Sequence, residues 1–456
     1  MTTNRSQEFK IDKAIISAEH LGSDSYDVKS YVLELSLFED IELPYLSGQI
    51  ICMDDMGSFD EMNLKGTETI LLKVSGTEPG YEGSFELTMN IVSIVRKIKT
   101  TERTDVLHLN LVSPLLYRDN AIKVSKSYAG KPSDIAAFIA KGYLDVDVST
   151  DYIGRTGGQA SMKVIPPLIS PLESVKWLID RTTTSDGVPF YCWQSIYEQS
   201  GKEKIRFGNL DFMMTMAGAP AWNENSPLVF SPSAANSVAL EYTADQAFVL
   251  KSFEANRVSD NLAAMADAAI GTSYTSLDTF TSQEYTRHFG VNKLLETVKP
   301  YIMRGSEQEV HDADMTLTAR GETKKLDEHD HRHITQISSF GTYGSWNSYH
   351  DDPQQLFAMN KVRSNSLRSL LYKNSYNFTA AGAAFFGPMA GGGSVGVGAG
   401  DVTKLRVFRS DTSQKEPEVD EVRSGHYMIT QCRHVFSDTT HTVAATIAKY
   451  DRGSKS

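Results

Sequence analysis

The sequence has few cysteines and no long apolar run. Its three cysteines, Cys52, Cys192 and Cys432, lie too far apart to form a disulfide framework or a thiolate cluster. No apolar run approaches the roughly 20 residues that cross a bilayer, and the first residues, MTTNRSQEFKIDKAII, lack the apolar core of a signal peptide. We therefore expect a soluble chain that inserts into no membrane and folds in a reducing cytoplasm.

Positive charge is scarce as well. The 456 residues include 45 Lys and Arg against 57 Asp and Glu, so the formal net charge is −12. A protein that binds nucleic acid needs clustered Lys and Arg to contact the phosphates, and this balance argues against a dedicated nucleic-acid binder. It is compatible with a conduit through which DNA slides without sticking.

The first 115 residues are rich in short strand patterns. In DVKSYVLELSLFED the apolar residues alternate, which predicts that Tyr31, Leu33, Leu35 and Leu37 share one face. Similar runs are SGQIICMDD, ETILLKVSG, SFELTMNIVSIVRKI and DVLHLNLVS. His108 in the last run is predicted to be a partly buried strand residue, not a catalyst. Short strands without long helical stretches between them favour a barrel or a sandwich.

Helical patterns begin in the middle of the chain. Ser133 is a predicted N-cap in KPSDIAAFIAKGYL, and Ser170 is a second in SPLESVKWLIDR, where a proline takes the first helical position. The aromatic run VPFYCWQSIYE follows, and its rings are predicted to fill a sheet core rather than a ligand pocket. These elements predict a mixed α/β segment.

The pattern is least clear from Phe248 to Ser348. SDNLAAMADAAIG predicts a helix, whereas TSYTSLDTFTSQEYT, rich in Ser and Thr, predicts a loop. His329, His331 and His333 then recur at every second position. On a strand they would face the same way and could hold a metal, and on a solvated turn they would be part of a charged run. The turn is favoured because no cysteine or second ligand pair lies beside them.

A glycine-rich run follows a predicted helix, DDPQQLFAMNKVRSNSLRSLLYK, and a predicted strand, NSYNFTAA. The run, GPMAGGGSVGVGAGD, carries Gly396, Gly398 and Gly400. A dinucleotide fingerprint would lead from a strand into a helix, but these glycines lead into the strand DVTKLRVF. No G-x-x-x-x-G-K-S/T phosphate loop occurs either. We therefore interpret the run as a flexible loop.

The stretch SGHYMITQCRHVFSDTTHTVAATIAKYD contains His426, Cys432, His434 and His441, four potential metal ligands. Its β-branched and aromatic residues break once, near the middle, which predicts an antiparallel hairpin. Alternation along the first strand would place the first three ligands on one face together with Met428. Zinc sites usually have tight pairs such as Cys-x-x-Cys, and none occurs here. The histidines are therefore expected to face solvent or a neighbouring chain, not to bind a metal.

Several of these stretches resemble a known family. LFEDIELPYLSGQIICMDDMGSF, followed by LKGTETILLKVSG, resembles the opening of the baseplate hub proteins of contractile-tailed bacteriophages. Further resemblances, in the family's order, are KVIPPLISPLESVKWLIDRT, VPFYCWQS, RFGNLDFMM, GAGDVTKLRV and SGHYMITQCRHVF. Together the matching stretches cover most of the chain, whereas residues Ala255–His350 match nothing in the family.

The resemblance implies an α+β, mainly β fold with two barrel-like ring domains at the chain ends. It places a first β-barrel domain in residues 1–115 and a mixed α/β domain, which can return a strand to that barrel, in 116–250. A poorly defined, helix- and loop-rich insertion would occupy 251–350. Residues 351–456 would form a helix that leads into the second barrel.

The resemblance also implies a structural role in the virion tail baseplate, after assembly in the host cytoplasm. Three chains would form a homotrimeric ring that adapts the sixfold tail tube to the threefold central spike and encloses part of the DNA channel. Implied partners are a spike protein with an OB-fold domain, tail tube or tube-initiator proteins and, as a further candidate, a tape measure protein. DNA would pass through the lumen without specific binding.

Two alternatives stay open. The chain could be a spike-complex component of a phage-like contractile injection or type VI secretion system, or, less favoured, a tail-associated cell-wall hydrolase. No H-E-x-x-H, G-x-S-x-G or cysteine-nucleophile motif occurs, and carboxylates alone do not identify a glycosidase. We therefore predict that the protein is not an enzyme and has no cofactor and no catalytic, cofactor-binding or metal-binding residues.

Overall fold

The computed structural model describes fifteen stretches of the chain. These are residues 8–22, 25–100, 104–152, 161–180, 182–184, 188–198, 203–215, 228–231, 246–255, 261–279, 282–292, 316–338 without 320, 364–386 without 370 and 372–374, 396–409, and 418–449 without 422. No helix within them is long and apolar enough to cross a membrane.

Strands dominate the described residues. The strands are β1 (Phe9–Ser17), β2 (Tyr26–Asp27), β3 (Val32–Asp40), β4 (Ser47–Asp54), β5 (Thr69–Gly76), β6 (Ser84–Lys99), β7 (Asp105–Val112), β8 (Tyr128–Gly130), β9 (Asp147–Tyr152), β10 (Met162–Val164), β11 (Phe190–Trp193), β12 (Lys204–Asn209), β13 (Leu228–Phe230), β14 (Ser252–Ala255), β15 (Gly271–Asp278), β16 (Gln283–Gly290), β17 (Thr316–Ala319), β18 (Glu322–Lys325), β19 (Arg332–Ser338), β20 (Ser375–Ala381), β21 (Val402–Val407), β22 (Gly425–Ser437) and β23 (Thr440–Lys449). The helices are α1 (Ser58–Met62), α2 (Pro114–Asn120), α3 (Pro132–Leu144), α4 (Pro171–Ile179), α5 (Leu210–Thr215), α6 (Asn261–Ala266) and α7 (Ala383–Phe386), and residues 364–369 are also helical.

One continuous sheet joins the two ends of the chain. Its strands follow the order β14-β20-β23-β22-β3-β4-β7-β6-β5-β1-β2, with β21 added to β22 and β13 added to β21. This arrangement confirms the mainly β, α+β fold. Among the described strands the path is open and ends at β14 and β2, so the barrel-like domains stay a prediction.

Strand β22 is the branch point of this sheet. Its first part, up to Met428, pairs with β21, its second part, from Gln431, pairs with β3, and β23 pairs with both parts. The change falls at Thr430, where the register to β23 shifts and the carbonyl accepts a hydrogen bond from the Ile41 N–H at 3.0 Å. A bulge of this kind bends a strand. It also separates Met428 from Cys432, which pack in different hydrophobic clusters, so the predicted shared face ends at the bulge.

Alternation is confirmed only for the later part of β3. Leu35 and Leu37 are buried, as predicted. Leu33 is 39% exposed because the register between β3 and β4 shifts beside it. Tyr31 lies in a 3-10 turn that precedes the strand. The predicted four-residue face is therefore wrong at its start.

The middle of the chain is mixed α/β, as predicted. β9, β12 and β11 form a sheet in which β12 runs parallel to β9, and α3 and α4 pack on the same core. Ser170 is the N-cap of α4: its hydroxyl accepts from the Glu173 N–H, and the Glu173 carboxylate accepts from the Ser170 N–H. Ser133 is not a cap, because α3 begins at Pro132 and its N-cap is Lys131.

The described part of residues 251–350 contains more strand than helix, so the predicted helix- and loop-rich character is wrong there. β15 pairs antiparallel with β16 and parallel with β19. The Ser/Thr-rich run predicted as a loop forms the β15–β16 hairpin, since threonine favours strands and Thr275 and Thr286 are joined by a hydrogen bond at 3.0 Å. The predicted helix that precedes it is present as α6.

The predicted helix after residue 350 is only partly described. Residues 364–369 of it are helical, and 351–363 lie outside the described residues. The predicted strand that follows is confirmed as β20.

Candidate functional site

The C-terminal stretch is an antiparallel hairpin of β22 and β23, as predicted. Cys432 is 2% exposed, His434 and His441 are fully buried, and His426 is half-buried. The expectation of solvent-facing histidines is therefore wrong for His434 and His441. The reason is that β22 and β23 are interior strands of the large sheet, with one face packed against a core.

Three of these side chains form a chain of polar contacts inside the protein. Cys432 Sγ lies 3.2 Å from His434 Nε2, and His434 Nδ1 lies 3.2 Å from His441 Nε2. Burial lowers the pKa of His434 to about 3 and the pKa of His441 well below its usual value. Both imidazoles are therefore neutral at physiological pH, because a buried charge would lose its hydration.

Glu39, on β3, lies close to Cys432 and His434 although it is far from them in the sequence. Its side chain is 2% exposed, and its two oxygens accept hydrogen bonds from the backbone N–H groups of Ile196, at 2.5 Å, and Ala399, at 2.6 Å. Burial raises its pKa to about 7, against the lowering effect of these two hydrogen bonds. We call Glu39, Cys432, His434 and His441 the buried polar cluster.

Glu39 is not among the residues that the sequence singles out. Its signal was present in the alternation of β3, since Glu39 continues the buried face of Leu35 and Leu37. An acidic residue on an apolar strand face must find hydrogen-bond donors or neutralise itself. Here the donors come from residues far along the chain, which spacing within β3 cannot reveal.

The glycine-rich run packs against one side of the buried polar cluster. Residues 396–400 are buried, so the interpretation as a flexible loop is wrong for this part; residues 387–395 lie outside the described residues. A Cβ at Gly398 would lie 2.2 Å from a Glu39 oxygen, and one at Gly396 would lie 2.2 Å from the Tyr197 ring. Gly400 has φ +90° and packs against Trp193. Glycine is needed at these positions because the backbone approaches buried side chains too closely for any other residue.

A buried ion pair lies beside the cluster. Arg206, 3% exposed, lies 3.9 Å from Asp401. A second oxygen of Asp401 accepts from the Gly398 N–H at 2.9 Å. The ion pair thereby ties β12 to the same glycine-rich segment that contacts Glu39.

The fold brings together potential metal-ligand atoms from β3 and β22, which the β22–β23 hairpin alone cannot do. One ligand atom each of Glu39, Cys432 and His434 lies within 4.8 Å of the other two. His426 is outside this group and pairs with Lys404 of β21. The aromatic run VPFYCWQSIYE belongs to the hydrophobic core, as predicted. Its Phe190, Tyr191 and Trp193 are at most 1% exposed.

The other histidines singled out in the sequence serve separate parts of the chain. His329 Nε2 lies 2.9 Å from the Leu317 carbonyl, and His331 Nε2 lies 2.6 Å from the Leu326 carbonyl. β19 begins at Arg332, so the two do not share a strand with the exposed His333. His108 is half-buried on β7, as predicted.

Comparison with known proteins places the fold. No protein-family model and no curated protein matches the chain. The structure is similar to that of the tail protein from Neisseria meningitidis, with a TM-score of 0.51 and 9% identity over 98% of this chain and 97% of that one. The chain shares the fold of this tail protein. The resemblance to phage tail proteins drawn from the sequence is confirmed at the level of fold.

Two further structures have lower similarity. One is the 43 kDa tail protein of prophage MuSo2 from Shewanella oneidensis, with a TM-score of 0.49 and 9% identity over 96% of this chain and 97% of that one. The other is the Francisella PdpA–VgrG complex, with a TM-score of 0.43 and 9% identity. There the match covers 98% of this chain and 58% of that one.

Proposed function

We propose that the chain is a structural hub of a phage-type tail baseplate, in which three copies form a ring between the tail tube and the central spike. The observation that carries the proposal is the fold shared with the Neisseria tail protein along nearly the whole of both chains. A fold alone does not specify a function, so the ring itself is what experiments must establish.

The ring domains would be the two β-rich ends of the chain. Around the first end, the Glu8 N–H, which precedes β1, donates to the Thr439 carbonyl in the β22–β23 turn at 2.9 Å. Around the second, the Leu250 N–H donates to the Val229 carbonyl at 2.8 Å, which links the segment before β14 to β13. These contacts bring the outer strands of each end close together and support barrel-like domains.

The contact between subunits would use the edge of β14 that lies beyond the Val249–Val229 bridge. β14 ends the sheet among the described strands, and an exposed strand edge offers backbone groups to another chain. A groove of about 660 Å³ lies beside it, lined in part by Phe38, Tyr45 and Glu254. A neighbouring copy that added its edge here would cover both features.

Further partners follow from the proposed position. The chain would bind an OB-fold spike protein on one side of the ring and tube, tube-initiator or tape measure proteins on the other. Its net charge of −12 would let DNA pass through the lumen without specific binding. The protein would work in the virion tail, after assembly in the host cytoplasm, without enzymatic activity.

The test is the solution mass of the purified chain, alone and with the spike protein from the same source, by light scattering. We expect a particle near three times 50.5 kDa, alone or with the spike. Glu254→Pro in β14 should reduce it to a monomer, because proline removes a backbone donor from the edge. Glu284→Pro in β16, an edge of the separate small sheet, is the matched control and should leave the mass unchanged.

The outcomes separate the candidates. A wild-type monomer that ignores the spike would contradict the hub. Co-purification with a spike as one copy per complex would favour the spike-component alternative. Release of soluble fragments from purified cell walls by the folded chain would establish the hydrolase alternative in its place.

A further inference from the structure

The buried polar cluster contains an unexplained group of ligand atoms. Glu39, Cys432 and His434 supply oxygen, sulfur and nitrogen within 4.8 Å of one another. The Tyr197 hydroxyl, also fully buried, has no hydrogen-bond partner among the described residues. Its ring centroid lies 6.0 Å from that of His434, in an edge-to-face contact, which places Tyr197 beside the same group. A buried hydroxyl without a partner is costly, and coordination to a bound ion would offset that cost.

The spacing of the ligand atoms is close to that of a tetrahedral zinc site. Zinc binds cysteine sulfur at about 2.3 Å and histidine nitrogen at about 2.0 Å, which puts two such atoms about 3.5 Å apart. Cys432 Sγ and His434 Nε2 are 3.2 Å apart. An increase of a few tenths of an ångström would bring these two atoms to the separation they have on a zinc ion.

The second layer of contacts is also of the kind that orients zinc ligands. His434 turns its other ring nitrogen to His441 Nε2 at 3.2 Å, which fixes the imidazole. The Glu39 carboxylate is held by the N–H groups of Ile196 and Ala399. Such contacts set the direction of a metal ligand and are a regular part of metal sites.

Charge balance favours a divalent cation over any other occupant. With the ion bound, one thiolate and one carboxylate carry two negative charges, which cancel the charge of Zn²⁺. The proton from each is released to solvent as the ion binds.

We propose that Glu39, Cys432 and His434 bind a zinc ion, with the Tyr197 hydroxyl beside the fourth position. The site is structural: it joins β3, β22 and the segment after β11 in the interior of the chain. For Cys432 and His434 this replaces the expectation from the sequence, which considered spacing within the hairpin alone. The zinc would enter as the chain folds, because the assembled site is closed to solvent.

The test is metal content after expression with zinc in the medium and purification without chelator. We expect one zinc per chain by mass spectrometry of the metal, retained on dialysis, in the wild type and in Cys192→Ala. That control removes a buried free cysteine outside the cluster. Cys432→Ala should lose the ion.

A second measurement keeps the test decisive if Cys432→Ala fails to fold. Wild-type chain refolded with Co²⁺ should show the absorption of a thiolate–cobalt bond, and Cys192→Ala should keep it. A folded wild type, verified by circular dichroism, that holds substoichiometric zinc and lacks this absorption would overturn the proposal. In that case the Cys432–His434 contact is a hydrogen bond alone. Because the readout is metal content, failure here leaves the hub proposal untouched.

Discussion

Glu39 connects three parts of the chain that are far apart in the sequence. It belongs to β3, and its oxygens accept from the backbone at Ile196 and Ala399. Glu39→Gln keeps the shape of the side chain. One of these backbone N–H groups then faces the NH₂ group of glutamine and loses its acceptor. We expect the free energy of unfolding to fall by about 1–3 kcal/mol, the cost of a buried unsatisfied group.

Urea denaturation of chelator-treated protein measures this change without any contribution from a metal. Glu86→Gln is the control, since 41% of the Glu86 side chain is exposed and its ion pair with Lys13 is a surface contact at 3.6 Å. It should change the free energy by less than about 1 kcal/mol. Equal effects of the two substitutions would contradict the role assigned to Glu39.

Gly398 and Gly142 make a matched pair of glycines. An added methyl group at Gly398 would lie 2.2 Å from the Glu39 carboxylate, whereas at Gly142, within α3, it would meet nothing within 4 Å. Gly398→Ala should destabilise the protein by about 1–3 kcal/mol or more through overpacking. Gly142→Ala should stabilise it by up to about 1 kcal/mol through helix propensity. Thermal unfolding would show melting temperatures that move in opposite directions, and a shift of the same sign in both would contradict the packing around Gly398.

At this scale the sequence reveals types of residue but not their partners. It marked Cys432 and His434 as potential ligands, which their spacing then argued against, and it could not find Glu39, which reaches them only through the β3–β22 pairing. The same limit misled the interpretation of Gly398, because its reason for being glycine is a side chain on another strand. Contacts between residues that are far apart in the sequence leave no periodic pattern from which they could be predicted.

Helix α4 is the element that the sequence predicts best. Ser170 and Glu173 form a reciprocal pair of hydrogen bonds at its start, and the Ser170 hydroxyl also donates to Asp119 at 2.7 Å. Ser170→Ala should lower the free energy of unfolding by about 1–2 kcal/mol. Ser133→Ala, at the serine that does not cap α3, should have the smaller effect. Chemical denaturation of both variants ranks them, and a reversed order would contradict the observed caps.

Elements were predictable where local chemistry decides them. The β22–β23 hairpin follows from two runs of β-branched and aromatic residues that are separated by a single break. The β15–β16 hairpin was missed because its Ser and Thr are as common in loops as in exposed strands. The start of β3 and the bulge at Thr430 were missed since a register shift leaves no mark in an alternating pattern.

The whole molecule carries an excess of negative charge, and its basic residues are partly neutralised locally. On β6, Lys97 contacts Asp60 at 2.5 Å and Asp105 at 3.1 Å. We expect no DNA binding in a gel-shift assay at about 0.15 M salt, where surface charges are screened beyond roughly 8 Å. A basic DNA-binding domain run in parallel is the control. Retention of DNA by the chain at this salt would contradict passage without specific binding.

The class of the fold was predictable from the sequence, and its connectivity was not. Strand patterns at both ends predicted a mainly β protein, and the resemblance pointed to tail proteins, one of which has the same fold. Nothing in either end indicates that β3 and β22 pair and so unite the ends in one sheet. Each of the two strands has a complete strand pattern of its own, so neither pattern indicates which strand it pairs with.

The branch at β22 also sets an order of events during synthesis. β3 emerges from the ribosome early, but residues 431–437 that cover its edge come more than three hundred residues later. Until then β3 exposes a strand edge, which is a template for wrong pairing. The N-terminal sheet therefore cannot be completed until β22 has been made, and a nascent chain that stalls before β22 is left with that edge open. Pairing over such long separations is intrinsically slow, so this protein exposes an unpaired strand edge for longer than a chain of independent domains would.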